Sequence, residues 1–202
     1  MTQICLVRHG QTEWNLLGKL QGQTDIPLNE TGKFQAEECR EYLKDVNWDA
    51  LITTSLKRAR QTAEIINKEL HLPIIVMDHF IERYFGVGEG MIRRKREKEY
   101  PDFIFPEMES QDDLFKRIDE GLKVVNQEFH NHKVLIVAHG AVINAILSRF
   151  HKGKLDSIKL FNGCLTNIQF EHNEWKVHDF NFVNHLSEHK DKNIQAPPLK
   201  DF

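Results

Sequence analysis

The chain has 202 residues, of which 40% are hydrophobic and 28% charged, with a formal net charge of −3. This length is sufficient for one buried core, so we predict a single domain over residues 1–202 with a loosely held tail from about residue 188. The lack of a basic excess argues against general nucleic-acid binding, and no apolar run is long enough to span a membrane. Three cysteines without a CxxC spacing, and an N-terminus without a signal-peptide pattern, predict a reduced, cytoplasmic protein.

Strands and helices are expected to alternate along most of the chain. Short apolar runs predict strands at 4–7, 49–55, 74–77, 133–138, 165–171 and 175–182. Apolar residues at helical spacing predict helices over about 29–46, 56–70, 110–129 and 141–150, with Asn29, Ser55 and Ser110 as their N-caps where a cap is recognised. The buried stripe of the first of these helices is expected to consist of Phe34, Cys39, Tyr42, Leu43 and Val46.

This alternation indicates an α/β fold with a mostly parallel sheet that is covered on both faces. The last two predicted strands are separated only by the turn His172-Asn173, so they should form an antiparallel hairpin. We therefore expect a mixed sheet whose antiparallel part lies at one edge.

Basic side chains follow the carboxyl ends of three predicted parallel strands. Arg8-His9 follows the first strand, Arg58 lies one turn beyond the second, and His139 follows the fourth. The carboxyl ends of such strands meet on one side of the sheet, where ligands bind, and a helix starting near Ser55 would add free N–H groups there. Each residue alone would be interpreted as a surface residue, but together they predict a site for a phosphoryl dianion.

The chemistry of this site is expected to require neither a metal nor a cofactor. A P-loop is absent, and Gly86–Gly90 lacks the spacing of a dinucleotide-binding motif. A neutral histidine can instead attack phosphorus and form a covalent intermediate. Glu82 is the leading candidate for the acid that protonates the departing alkoxide, and the competing interpretation is a surface glutamate paired with Arg83.

Four motifs together resemble the histidine phosphatase superfamily, which contains the cofactor-dependent phosphoglycerate mutases and related phosphatases. They are LVRHGQTEWN at 6–15, KRARQTA at 57–63, Ile81-Glu82 followed by Gly86 and Glu89-Gly90, and VAHG at 137–140. The resemblance implies a three-layer α/β/α sandwich with a mostly parallel mixed sheet. It also implies that His9 is the phosphorylated nucleophile, that Glu82 is the proton donor, and that Arg8, Arg58 and His139 bind the phosphoryl oxygens. Asn15 matches a phosphate contact of the family, and Gln21 and Gly22 match its substrate-contacting loop.

The reaction type leaves alternatives open. Hydrolysis of phosphomonoesters is favoured because the stretch between Glu82 and Ser110 is short, and because Gln21 stands where typical mutases carry a small hydroxyl residue. A cofactor-dependent phosphoglycerate mutase is the alternative, with which Arg83 is consistent, and a non-catalytic phospho-ligand binding protein is a third.

The basic run Arg93–Lys98 is either a solvated helix face or part of a lid that recognises an acidic substrate. The expected partner is a small phosphorylated metabolite, and a homodimer remains open.

Overall fold

A six-stranded sheet forms the centre of the computed structural model, which describes residues 1–151 and 158–189. The strands are β1 (Thr2–Arg8), β2 (Ala50–Thr53), β3 (Ile74–Val76), β4 (Lys133–Ala138), β5 (Leu165–Glu171) and β6 (Glu174–Phe182). Their order across the sheet is β3-β2-β4-β1-β5-β6. β1 and β4 therefore lie at the centre of the sheet, although they are far apart in the sequence.

The sheet is mixed in the predicted way. β3, β2, β4 and β1 pair in parallel, whereas β5 pairs antiparallel with both β1 and β6. The hairpin turn at His172 and Asn173 has φ angles of 50° and 64°, as the two central residues of a type I′ turn require. The predicted hairpin at one edge is confirmed.

Helices cover both faces of this sheet. They are α1 (Glu13–Leu16), α2 (Glu30–Leu43), α3 (Lys57–Leu70), α4 (Arg93–Glu99), α5 (Gln111–Glu128) and α6 (Gly140–Phe150). Adjacent residues of a strand face opposite sides of a sheet, so the complete burial of Ile4 through Val7 requires cover on both sides. The three-layer α/β/α architecture implied by the resemblance is confirmed.

Two helix caps are confirmed and one is wrong. The Asn29 and Ser110 side chains accept hydrogen bonds from the N–H groups of Gly32 and Asp113 at 2.9 and 3.0 Å. Ser55 does not cap α3, because Leu56 occupies the N-cap position and makes no side-chain cap hydrogen bond.

The predicted buried stripe of α2 is wrong at Phe34, and its last member, Val46, lies beyond the end of the helix at Leu43. The buried positions of this helix are Gly32, Gln35, Ala36, Cys39 and Leu43, which follow helical spacing. Phe34 falls outside this phase and is 54% exposed. Phe34 was predicted to be buried because it is hydrophobic, but its place on the helix directs it to solvent.

The chain end that was expected to be loose begins with two packed residues. The Gln35 amide donates to the Glu188 carboxylate at 2.6 Å, and the His189 ring packs against Phe161 with ring centroids 4.4 Å apart. These contacts correct the expected start of the tail, and residues 190–202 lie outside the described residues. Across the described ranges, no helix combines the length and apolar character needed to cross a membrane.

Candidate active site

The pairing of the two central strands places two histidines side by side. In the parallel register of β1 and β4, the last residues of the two strands, Arg8 and Ala138, lie opposite each other, and a histidine follows each of them. The His9 N–H donates to the Ala138 carbonyl at 3.0 Å. The rings of His9 and His139 have centroids 5.2 Å apart at an interplanar angle of 54°. Both histidines are buried.

The contacts of His9 define which ring nitrogen is free. Nδ1 lies 2.7 Å from the Gly10 carbonyl oxygen, and because a carbonyl can only accept, Nδ1 carries the proton. Burial, followed by the positive charges of Arg58 and Arg8, lowers the pKa of His9 well below its usual value. The ring is therefore neutral at neutral pH, and its Nε2 carries an unprotonated lone pair.

Gly10 allows this turn to pack closely against α2. A Cβ atom at Gly10 would lie 2.2 Å from the carbonyl oxygen of Gly32, a distance that no side chain tolerates. The Gly10 N–H donates to the Thr62 hydroxyl at 3.1 Å. The glycine after His9 is therefore required by packing between the site and α2.

Two arginines place positive charge beside the histidines. The Arg58 side chain is fully buried, and its Nη atoms donate to the carbonyls of Gly22 and Thr24 at 2.6 and 2.9 Å. Arg8 donates from Nη1 to the Leu160 carbonyl. Burial lowers the pKa of Arg58 to about 10, so the guanidinium remains charged at neutral pH. Within residues 1–151 and 158–189, neither arginine forms an ion pair with a carboxylate, so both can balance the charge of a bound anion.

Three nitrogen atoms of this cluster have no hydrogen-bond partner among the described residues. They are Nε of Arg8, Nε of Arg58 and Nδ1 of His139, and each is buried. Buried polar groups are nearly always paired, so such a group needs a specific explanation. Three of them around one histidine are the arrangement expected where an anion binds.

The side chain of Glu82, which lies in the loop after β3, contacts the first turn of α6. Its carboxylate accepts from the Ala141 N–H at 3.1 and 3.3 Å and from the Arg83 N–H at 3.0 Å. Glu82 is only 9% exposed. Backbone donors therefore hold this carboxylate in position on the carboxyl-end side of β4, next to His139.

At the start of α3, two of the backbone N–H groups that the sequence predicted to be free are bonded to carboxylates. The Ser55 N–H donates to Asp78 at 2.8 Å, and the Lys57 N–H donates to Asp25 at 2.7 Å. These two donors are therefore not available to a ligand. The contribution of this helix to the site is the Arg58 side chain.

The loop between β1 and α2 brings the other predicted residues to the site. The side-chain oxygen of Asn15 accepts from the Thr12 N–H at 3.1 Å, and Asn15 lines a cavity of about 480 Å³ with Arg8 and Gly140. Gln21 is 8% exposed and accepts from the Thr12 hydroxyl at 2.9 Å. Gly22 lies beside Arg58 through its carbonyl group. All of the predicted site residues thus lie in this region, and their contacts with a substrate remain predictions.

Sequence reasoning missed several residues that organise the site. Thr54, directly after β2, lies 2.8 Å from Nε2 of His139 through its hydroxyl. The Asn162 amide donates to the His9 carbonyl at 3.0 Å. Thr54 could have been found from the sequence, because it is a hydroxyl residue at the carboxyl end of a predicted strand. Asn162 lies in a loop, and no sequence pattern distinguishes it.

Glu89 was noticed only as part of a motif, and the structure shows what it contacts. Its carboxylate accepts from the N–H groups of Gln23, Thr24 and Phe85 at 2.9, 2.9 and 3.1 Å, and from the Thr24 hydroxyl. A Cβ atom at Gly22, whose φ is +55°, would lie 1.9 Å from this carboxylate. Glu89 therefore fixes the loop whose carbonyls hold Arg58.

The basic run forms the short exposed helix α4. Arg93 pairs with Glu97 at 2.6 Å, and Arg96 donates to the carbonyls of Gly18 and Met91. None of these side chains lines either cavity next to the histidines. The solvated-face interpretation fits these contacts. No group of three metal-ligating side chains occurs in residues 1–151 and 158–189.

The sequence model of one protein family, the histidine phosphatase superfamily (branch 1), matches residues 4–183 of this chain. The chain belongs to this superfamily. It is therefore an enzyme of the histidine phosphatase family, with the phosphoglycerate mutase-like fold.

Individual relatives agree with this assignment. The chain is 54% identical over 189 residues to the uncharacterized phosphatase PhoE of Bacillus subtilis, covering 93% of this chain and 98% of the relative. It is 32% identical over 201 residues to a metal-independent phosphoserine phosphatase of Arabidopsis thaliana, covering 93% and 84%.

Solved structures show the same fold. Bacillus stearothermophilus YhfR has a TM-score of 0.84 at 25% identity, covering 92% of this chain and 99% of that one. A phosphoserine phosphatase mutant from Entamoeba histolytica in complex with phosphoserine has a TM-score of 0.78 at 28% identity, covering 92% and 100%.

Proposed function

We propose that this histidine phosphatase hydrolyses small phosphomonoesters, without a metal, through a phosphohistidine formed on His9. The observation that carries the proposal is the set of three buried, unpartnered nitrogens of Arg8, Arg58 and His139 around a neutral histidine. These groups match the oxygens of a phosphoryl group. The free Nε2 of His9 supplies the nucleophile.

In the first step, the lone pair on Nε2 of His9 attacks phosphorus. The N–P bond forms as the bond between phosphorus and the alcohol oxygen breaks. Glu82, in its acid form, gives its proton to the leaving oxygen, so the alcohol departs neutral. Arg8, Arg58 and His139 stabilise the negative charge on the other phosphoryl oxygens during transfer.

In the second step, water attacks the phosphoryl group of the intermediate. The Glu82 carboxylate accepts a proton from this water, the N–P bond breaks, and inorganic phosphate leaves. His9 returns to its neutral form and Glu82 to its acid form. The position of Glu82 at the start of α6, held by two backbone N–H groups, supports the same group acting in both steps.

The hydrogen bonds of Arg83 favour hydrolysis over phosphoryl transfer between phosphoglycerates. Arg83 is the residue of the sequence that is consistent with the mutase alternative. Its Nε and Nη2 donate to the Glu109 carbonyl at 3.0 and 2.8 Å, and its Nη1 donates to Gln111 at 3.1 Å. The 54% identical relative is likewise named a phosphatase.

The test is phosphate release from a panel of phosphomonoesters in the presence of EDTA. The wild-type protein is compared with His9→Ala and with His130→Ala, which changes an exposed histidine outside the site. We expect release that survives EDTA, persists in His130→Ala and falls by several orders of magnitude in His9→Ala. An alkaline quench should also trap a phosphorylated protein, because phosphohistidine is labile to acid but stable to base.

Other outcomes would identify the alternatives. Conversion of 3-phosphoglycerate to 2-phosphoglycerate without phosphate release would assign a mutase. Binding of phosphate esters without turnover in either assay would assign a phospho-ligand binding protein. Undiminished turnover by His9→Ala would exclude the phosphohistidine route.

A further inference from the structure

A second cavity, of about 470 Å³, adjoins the site on the Glu82 side. Glu82 lines it together with Ala141, whose N–H holds the Glu82 carboxylate. A group that receives a proton from Glu82 therefore has this cavity beside it. In the proposed reaction, that group is the oxygen of the leaving alcohol.

The walls of this cavity are mainly apolar. They include Leu20, Phe85, Phe103, Leu114, Ala145 and Leu147. Phe85, Leu114 and Leu147 are nearly completely buried, so their positions are set by the protein core. A preformed apolar wall favours an apolar ligand, because burial removes apolar surface from water.

Phe103 forms an exposed part of this wall. The side chain is 42% exposed, and its backbone φ is +56°, in the left-handed region that a bulky residue rarely adopts. Edge-to-face contacts hold the ring against Phe85 and Phe105, with centroids 5.8 and 5.0 Å apart. A non-glycine residue held in this conformation at a cavity points to a functional reason for its position.

The charges around the cavity do not favour an acidic leaving group. Arg83 is the one cation among the described residues that line it, and three of its five N–H donors already bind the Glu109 carbonyl and the Gln111 side chain. The exposed basic residues of α4 do not line the cavity. A carboxylate placed here would lose its hydration and could pair only with this one guanidinium, which has two N–H donors left for it.

We propose that this cavity binds the alcohol portion of the substrate, and that the enzyme selects phosphomonoesters of apolar alkyl or aromatic alcohols over those of acidic alcohols. The inference rests on the proposed function for the position of the reacting phosphoryl group. It goes beyond that function by assigning the chemical class of the leaving group.

The test measures binding separately from turnover, using alkylphosphonates, whose C–P bond is not hydrolysed by phosphoryl transfer to histidine. Methyl-, butyl- and hexylphosphonate differ only in the length of the apolar chain. We expect affinity by calorimetry to rise by up to about fourfold for each CH₂ group buried, until the cavity is filled. The kcat/KM values of the corresponding alkyl phosphates should rise in the same order, and 3-phosphoglycerate and phosphoserine should rank below hexyl phosphate.

Phe103→Ser tests the cavity wall, and Phe34→Ser is its control, because Phe34 is also an exposed phenylalanine but lies on α2. We expect Phe103→Ser to reduce the gain in affinity from methyl- to hexylphosphonate by severalfold, whereas Phe34→Ser leaves it unchanged. Leu20→Ser, at another partly exposed position of the wall, should act in the same direction.

Two results would overturn the inference. The first is equal affinity for the three phosphonates. The second is a preference for 3-phosphoglycerate or phosphoserine over hexyl phosphate. Failure of the proposed function would be a different result: no ester would be hydrolysed, and His9→Ala and the wild-type protein would release equal amounts of phosphate. The affinities of the three phosphonates would still test the cavity in that case.

Discussion

The hydroxyl oxygen of Thr54 lies 2.8 Å from Nε2 of His139, and both side chains are completely buried. A neutral imidazole carries one N–H, and the hydrogen bond at one ring nitrogen selects which nitrogen carries it. Burial, followed by the positive charge of Arg58, lowers the pKa of His139 well below its usual value, so this ring is neutral at neutral pH. When the Thr54 hydroxyl donates to Nε2, the His139 proton lies on Nδ1, the atom without a partner among the described residues.

Thr54→Val should therefore impair catalysis without changing the shape of the site. Loss of a hydrogen bond to a buried group costs about 1–3 kcal/mol, so we expect kcat/KM for aryl phosphates to fall roughly 5- to 150-fold. Thr53→Val is the matched control, because the neighbouring Thr53 hydroxyl is also buried but makes no hydrogen bond to a described residue. Equal losses in the two variants would show that Thr54 acts only through packing.

Glu82→Gln should affect alkyl phosphates more strongly than aryl phosphates. Alkoxides are poor leaving groups and need a proton, whereas phenolates leave readily without one. The measurement is kcat/KM for phenyl and hexyl phosphate, with Glu128→Gln as a control on the exposed C-terminal turn of α5. If both substrates slowed equally, Glu82 would not be the acid.

Glu89→Gln should weaken phosphate binding through Arg58. A glutamine has one acceptor oxygen, so its NH₂ group would face N–H donors that now bond to the Glu89 carboxylate. The loop carrying the Gly22 and Thr24 carbonyls would then hold Arg58 less firmly. We expect the inhibition constant for inorganic phosphate to rise by roughly tenfold.

Glu97→Gln, on the exposed face of α4, is the control for this experiment. The melting temperature is measured alongside inhibition for both variants. A lower melting temperature with unchanged phosphate inhibition would show that Glu89 stabilises the loop without positioning Arg58.

The pH dependence of stability should carry a contribution from His185. Burial lowers the pKa of this residue to about 4, and its ring stacks against both Tyr42 and Phe182. Below the unfolded-state pKa of about 6.5, the unfolded chain binds a proton that the folded chain excludes, so stability falls with pH until the folded-state pKa is reached. His185 should account for about 2 kcal/mol of the loss between roughly pH 7.5 and pH 5.

Urea unfolding across this pH range provides the measurement. His185→Gln should remove that part of the pH dependence, whereas His130→Gln, at an exposed position, should retain it. An identical pH dependence in His185→Gln and the wild-type protein would contradict the proposed burial of the neutral ring.

The arrangement of His9 and His139 could be predicted because it depends on strand order and direction. Apolar runs identify β1 and β4, and their parallel pairing aligns the residues that follow them. The motifs of the family marked the same residues. Sequence periodicity and motif resemblance thus agreed on the centre of the site.

The supporting contacts could not be predicted because they join loops that are distant in the sequence. Glu89 reaches Gln23, which lies 66 residues away, and no local pattern records that contact. Ser55 is a favourable capping residue, yet Asp25 and Asp78 supply the carboxylates that bind the nearby N–H groups. Capping propensity therefore gave a wrong prediction at a helix start whose N–H groups bond to side chains distant in the sequence.

Both sheet neighbours of β1 are made after it. β1 pairs with β4 on one side and with β5 on the other, and these strands begin at Lys133 and Leu165. A chain emerging from the ribosome therefore exposes an apolar strand with two open edges until most of its length has been synthesised. Such a strand can pair with other chains, so we expect a nascent polypeptide that depends on chaperones and acquires activity only near the end of translation.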